Sequence, residues 1–413
     1  MNAEIITIGD ELLIGQVINT NQAYIAEQLN LVGVSVRRMT TLGDDEAEIL
    51  AGFEEAWRRA DVVVVTGGLG PTHDDITKKV VCRFFGTHLV PNVSVRAHIE
   101  TLYRARNMAW SQSAEEQALV PQSAEVLSNP VGSAPGLFFR QERKCFFVMP
   151  GVPYEMKAIV DGSIIPFLKR HGVDTVIRHL TLRTSGIAES VLAKHIGPVE
   201  KFLGAATLAF LPSPTGVRLR ITVRGTENTS VEADVSRIET YLRSRIGKYV
   251  YGTGADELEE VLGQLLAGKK LTIAVAESIT GGLVTDRLTN VSGSSTYFER
   301  GVIAYSNQSK TQLLGVPPGI IEAHGAVSSE VAKAMASGVR SISGADIGLA
   351  TTGIAGPTGG TDLKPVGLVW VGYADSRGEI AIHHQFGGQR RIIKERASQA
   401  ALEMVRRRLL NLP

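Results

Sequence analysis

An α/β protein that opens with a doubly wound, mostly parallel sheet is what this sequence predicts. Strand and helix signals alternate from the first residues. The run Asp61-Val-Val-Val-Val-Thr66 is continuously β-branched, as in a strand covered on both faces. Near His171 the alternation gives way to a short α+β pattern, and a second α/β series follows the glycine-rich stretch at Gly252 and Gly254. Three domains are therefore expected, over residues 1–170, 171–254 and 255–413.

Element by element, Glu4 to Ile8 is an apolar run ended by Gly9, a buried strand. Asn19-Thr20-Asn21 offers caps for a helix over 22–31, and Val34 to Met39 is the next strand. Asp44 and Asp45 precede a helical pattern over 47–59, and the 62–65 strand runs into TGGLGPTHDDIT. Gly67, Gly68 and Gly70 allow a tight turn with exposed N–H groups at the carboxyl end of a strand, where such sheets bind ligands. Asp74 and Asp75 would repel a bare phosphate, so carboxylates, phosphate and a Mg²⁺-like divalent metal form one reading, with Asp44 as a further ligand. The competing reading is a loop whose aspartates cap the helix. His73 is read first as a hydrogen-bonding loop residue. The loop is not G-x-G-x-x-G, so no dinucleotide fingerprint is expected.

The middle module reads as strand 179–184, helix 187–196, strands 206–211 and 217–223 around Pro212–Gly216, and helix 231–246. Its order resembles small RNA-binding modules, but it lacks an aromatic platform and Pro214-Thr215-Gly216 is no GXXG clamp. A linker is expected at Tyr251-GTGADE. Beyond it, strand 271–276 delivers Glu277 and Ser278, and Ile279-Thr280-Gly281-Gly282 starts a helix. Gly293-Ser294-Ser295 leads to strand 302–305, and Lys310 follows on a helix over 308–314. A strand over 345–351 ends in the long loop TTGIAGPTGGTDLKPVG, which a globular chain rarely keeps without a task. Two antiparallel strands and the helix opened by GGQRR complete the chain.

Composition bounds the function. The chain has 413 residues, 44% hydrophobic and 21% charged, with a formal net charge of +1, which argues against a nucleic-acid partner. Its two cysteines, Cys82 and Cys145, form no CxxC pair, so neither a disulfide scaffold nor a zinc site is expected. No signal peptide and no bilayer-spanning apolar run are seen, which predicts a cytoplasmic protein with no membrane partner. The Arg406–Arg408 run reads as a solvated helix end.

The motifs AESITGG, GSS, YSNQSK, HGAVS, TGIAGPTGG, KPVG and GGQR, in this order, resemble the CinA-type (competence/damage-inducible) family. The N-terminal motifs GDELLIG with NTN, TGGLGPTHDDIT, SAPG and PGVPYEM resemble that family's molybdopterin-binding-like domain. Ile279 stands where many relatives have cysteine. The resemblance implies a three-layer α/β sandwich for the last domain. It also implies hydrolysis of nicotinamide mononucleotide to nicotinic acid mononucleotide and ammonia, a salvage step that needs no cofactor. A metal-dependent ADP-ribose pyrophosphatase in the first domain is the second implied activity, and a pterin or nucleotide pocket without turnover is the alternative. A DNA adaptor follows only from the family's name. A homodimer is expected by analogy.

Amide hydrolysis needs a nucleophile, a base, a donor for the leaving ammonia and an oxyanion hole. Ser295 is the expected nucleophile and Ser278 its competitor, although serines in Gly-Ser-Ser are ordinarily turn formers. Lys310, neutral when buried, would take the serine proton and Tyr305 would relay it. The 293–295 turn would hold the oxyanion, with Ser294 and Gly353 contacting substrate. Thr352 and Arg390 would bind the ribose phosphate.

Overall fold

The computed structural model describes residues 1–70, 72, 75–171 and 176–413. They form two compact units, Met1–Arg178 with Arg224–Glu232, and His179–Val223 with Ala233–Pro413.

The first unit is built on a six-stranded sheet in the order Ser35–Leu42, Asn2–Ile8, Val62–Thr66, Lys144–Met149, Gly136–Gln141, Glu125–Leu127. The first four strands are parallel and the last two antiparallel, so the mostly parallel α/β sheet is present. Alternation along Val62–Val65 explains its continuous apolar run. Val63 and Val65 pack in a core with Phe53 and Phe146, while Val62 and Val64 pack on the opposite face with Leu29 and Phe147. Asp45 accepts from the N–H groups of Ala47 and Glu48 and so caps the helix Glu46–Arg59.

The second unit holds a four-stranded sheet ordered Thr207–Ser213, Gly216–Gly225, Val176–Thr184, Val250–Thr253. The hairpin over Pro214-Thr215 is antiparallel, as its turn chemistry predicts. Tyr251 is not in a linker: Val250–Thr253 pairs antiparallel with residues 182–184. β-Branched Val250 and aromatic Tyr251 suit an edge strand, and of the glycines that suggested a linker Gly252 lies within it and Gly254 just beyond it.

The last part of this unit is a five-stranded sheet ordered Phe298–Ile303, Ile273–Glu277, Ile347–Gly353, Leu368–Asp375, Gly378–Gln385. Its first three strands are parallel, and its last two are antiparallel. Alternation again sorts the side chains. Ile273 and Val275 pack toward helices Leu258–Lys269, Leu283–Thr289 and Arg390–Leu409. Ala274 and Ala276 pack toward Ser329–Ser343, where small residues let the helix approach closely. Helices on both faces make the three-layer sandwich. Arg406 departs from the solvated reading: it is buried, ion-paired to Glu403 at 2.8 Å, and donates to the Lys248 carbonyl.

Candidate active site

The strand Ile273–Glu277 lies between Phe298–Ile303 on one side and Ile347–Gly353 on the other. The chain leaves it through Leu283–Thr289 on one face of the sheet and reaches Ile347–Gly353 after Ser329–Ser343 on the other. Its carboxyl end is thus a switch point, where open α/β sheets form their crevice. Glu277 and Ser278 stand there.

Glu277 fixes the turn that carries the serine. Its carboxylate, fully buried, accepts from the N–H groups of Gly282 and Val284 at 2.9 and 3.1 Å and of Thr285 at 2.8 Å. The expected helix at Ile279 therefore starts later, at Leu283, after a turn in which Gly281 and Gly282 take φ of 59° and 97°. The other end of the turn is held where Ser278 N–H donates to the Thr351 carbonyl and the Thr280 and Thr351 hydroxyls meet at 2.7 Å. Glu277→Ala would leave these N–H groups buried and unpaired. It should cost about 3 kcal/mol in urea unfolding, with Glu277→Gln milder because it keeps one acceptor oxygen.

Lys310 comes to Ser278 from the helix Asn307–Leu314, which Ser306 caps through the Ser309 N–H. Its side chain is 1% exposed. The amine nitrogen lies 3.2 Å from Ser278 Oγ, 3.0 Å from the Ala304 carbonyl oxygen and 3.1 Å from that of Tyr305. Burial pushes its pKa below the ordinary lysine value. All three partners can accept, and the amine donates to both carbonyls and to Ser278 Oγ. A neutral amine that kept its two N–H groups on the carbonyls would turn its lone pair to the serine hydroxyl.

Tyr305 lies just past the strand end at Ile303, and its ring is exposed. Its hydroxyl accepts from Arg390 at 2.9 Å, and the same guanidinium donates to the Gly356 carbonyl. The Tyr305 phenol is thus bonded to Arg390, while its backbone carbonyl holds Lys310. Ser278, Lys310, Tyr305 and Arg390 form one connected set.

The remaining expected residues are not brought into it. Ser294 and Ser295 occupy a short 3₁₀ turn that precedes the strand Phe298–Ile303. In the parallel pairing, Phe298 faces Ile273 and Ile303 faces Glu277. Ser295 is therefore at the amino end of the sheet and Ser278 at the carboxyl end, about 17 Å apart along the strands at ~3.3 Å per residue. The Ser294 N–H is spent on the Val291 carbonyl, so it does not serve as an oxyanion donor. The buried Thr352 hydroxyl donates to the Ala326 carbonyl at 2.7 Å, which occupies it within the fold. Gly353 answers to packing: a Cβ there would stand 2.7 Å from the Leu368 carbonyl oxygen and 2.8 Å from the Ile279 side chain.

In the first unit, a cavity of about 380 Å³ is lined by Gly67, Gly68, Gly70, Asp44, Asp75, Glu11 and Glu155 among others. Its glycines are required by contact. A Cβ would stand 2.1 Å from the Ile8 carbonyl oxygen at Gly67, 2.1 Å from Thr77 Oγ1 at Gly68 and 2.4 Å from Asp75 at Gly70. Asp44 Oδ2 accepts from the Asp10 N–H, and Asp75 accepts from the Thr72 N–H and hydroxyl. Asp74, like His73, lies outside the described residues. Among the described residues, no three of His, Cys, Asp or Glu converge closely enough to hold a metal ion. The described carboxylates do not by themselves make a cation site. The structure adds Glu155 to the cavity, buried and bonded to Asn129; Lys78, whose burial pushes its pKa down to about 8, donates to the Glu116 carbonyl and does not line it. Neither carries a sequence signal beyond its position after a glycine or proline turn.

The fold and sites thus define an α/β protein with a glycine-loop cavity in one unit and a buried serine–lysine pair in the other. Family models match in three segments: "Probable molybdopterin binding domain" over residues 4–170, "Damage-inducible protein CinA KH domain" over 179–252 and "CinA C-terminal domain" over 255–409. A CinA-like protein of Chloroherpeton thalassium is 45% identical over 100% of both chains. A CinA-like protein of Salinibacter ruber is 45% identical over 99% of this chain and 100% of its own. A solved structure of CinA from Thermoplasma acidophilum is 37% identical, covering 39% of this chain and 94% of its own, with a TM-score of 0.37. The chain belongs to the CinA family. No helix among the described residues is long and apolar enough to cross a membrane.

Proposed function

We propose that the last part of the chain hydrolyses the carboxamide of nicotinamide mononucleotide, with Ser278 as nucleophile and Lys310 as base. The observation that carries this reading is the Lys310 amine, buried, held by two carbonyls and 3.2 Å from Ser278 Oγ. Ser278 Oγ bonds to the carboxamide carbon as its proton passes to Lys310. The oxyanion is met by backbone N–H groups of the 279–281 turn, which replaces the 293–295 turn in that role. Collapse of the tetrahedral species breaks the C–N bond, and protonated Lys310 returns its proton to the leaving ammonia. Water then attacks the acyl-serine with Lys310 again as base, which frees Ser278 and releases nicotinic acid mononucleotide. Tyr305 joins Arg390 to the pair, through its hydroxyl on one side and its backbone carbonyl on the other. Incubation with nicotinamide mononucleotide should release one ammonia per nicotinic acid mononucleotide, and absence of both products would overturn the reading.

A second reading concerns the first unit, whose glycine loop favours a phosphate-bearing ligand, while the carboxylates of Glu11, Asp44, Asp75 and Glu155 in the same cavity would repel a bare phosphate. ADP-ribose is the proposed ligand, with hydrolysis of its pyrophosphate the proposed reaction. A divalent cation, if held with help from Asp74, would supply charge neutralisation there. AMP release from ADP-ribose with Mg²⁺, abolished by a chelator, is expected. Tight binding without AMP release would make the cavity a binding module instead.

A further inference from the structure

The second unit holds a cavity of about 630 Å³ that none of Ser278, Lys310, Tyr305 and Arg390 lines. One wall is the turn after the strand Val176–Thr184, together with the hairpin loop at Pro214-Thr215. The other is the end of the strand Gly378–Gln385 and the helix Arg390–Leu409, where Arg396, Ala400, Met404 and Arg407 recur at helical spacing. Both walls are fixed. Gly216 lies so close that a Cβ on it would stand 2.0 Å from the Thr184 carbonyl oxygen, and Thr184 Oγ1 donates to the Val217 carbonyl at 2.7 Å. Buried Gln399 donates to Ser185 Oγ at 3.1 Å and accepts from Arg287 at 2.8 Å, which ties the turn to the helix. The space between is of the size that holds a small molecule.

The chemistry of the walls selects the ligand. Ile187, Pro212, Pro214, Ile382, Phe386 and Met404 make them largely apolar. The rings of His384 and Phe386 lie nearly parallel, at 6° with centroids 5.2 Å apart, and form a flat platform. Burial pushes the His384 pKa below the ordinary histidine value, so its ring is neutral at neutral pH. Among the described residues, neither of its nitrogens has a hydrogen-bond partner. The charged groups on the walls are not equally matched. Glu403 is paired with Arg406 and with Arg407, each at 2.8 Å. Glu189 stands exposed to water. Arg396 is half-buried and donates to the Gly387 carbonyl, with no carboxylate partner among the described residues. A half-buried guanidinium without a counter-charge, beside flat apolar walls, calls for an anion carried on a ring.

Independently of the proposed reaction, we infer that this cavity binds an aromatic monocarboxylate. The ring lies against Phe386 and His384, with Pro212 and Pro214 on the opposite wall. The carboxylate pairs with Arg396 through the guanidinium nitrogens that the Gly387 carbonyl leaves free. Arg407, already neutralised by Glu403, calls for no second carboxylate.

The test uses the full chain, with cinnamate as probe and its uncharged analogue cinnamamide as control, measured by calorimetry at neutral pH. Cinnamate should bind at a single site per chain, about tenfold or more tighter than the amide. Arg396→Gln should remove that preference, and Arg396→Lys should keep most of it. Ala188 lines the cavity from an exposed position and makes no side-chain cap bond. Ala188→Trp should therefore fill the cavity and abolish binding without unfolding the chain, which the variant's unfolding curve checks. Absence of saturable cinnamate binding, equal binding of acid and amide, or binding unchanged in both Arg396→Gln and Ala188→Trp would each overturn the inference.

Discussion

Ser278→Ala is expected to lower kcat for the proposed deamidation of nicotinamide mononucleotide on the order of 10⁴-fold, with little change in KM, while Ser295→Ala should stay close to the wild type. The first effect is that of removing the atom that forms the covalent intermediate, which leaves only binding and oxyanion stabilisation. The second follows from the register of the parallel pair. Ser295 precedes Phe298, the partner of Ile273, whereas Ser278 follows Glu277, the partner of Ile303. The whole strand separates Ser295 from the Lys310 amine. Ammonia release by the two purified variants, with a check on their unfolding curves, decides between the serines. A nearly normal Ser278→Ala enzyme would remove Ser278 from the mechanism. Because Ser278 is small and 8% exposed, and its N–H bond to Thr351 survives in alanine, the variant should fold normally.

The parts of the site that were legible in the sequence are those set by one strand or one turn. The run Ile273–Glu277 announces a buried central strand, and a serine at its end is placed by chain order alone. Lys310, Tyr305 and Arg390 were named through motifs, and the structure joins them. Partner choice was not legible, because Lys310 lies 32 residues from Ser278 and its reach depends on how two parallel strands align. The sequence does not separate Ser295 from Ser278, because a Gly-Ser-Ser turn and a strand-end serine look alike without register. Glu277 was passed over for a related reason. A carboxylate at the end of an apolar strand gives no sign that it will turn forward and cap the next helix. In the first unit the glycine loop was plain, since each glycine answers to a close neighbour. That the described aspartates do not close on a cation was not, because Asp44 and Asp75 accept instead from nearby backbone N–H groups.

Lys310 offers the sharpest test, because one lowered pKa governs both activity and stability and makes both rise with pH. Lys310→Met should lower kcat/KM by about 10²–10⁴-fold, the usual worth of a general base. Lys310→Arg should fail almost as badly, since a guanidinium keeps its proton. In the wild type, kcat/KM should rise with pH and level off above the lysine's pKa, because only the neutral amine can accept the serine proton. Burial lowers that pKa, so the rise must fall below the ordinary lysine value of 10.5. The same shift fixes the sign for stability. The unfolded chain binds a proton at Lys310 more readily than the folded chain, so the group's contribution to stability grows as pH rises between the folded and unfolded pKa values. Methionine has no such dependence. Thermal unfolding should therefore favour the wild type over Lys310→Met increasingly as pH is raised, and favour the variant relatively as pH is lowered. A stability difference that moved the other way would mean that Lys310 is charged in the folded protein. It could not then serve as the base for Ser278.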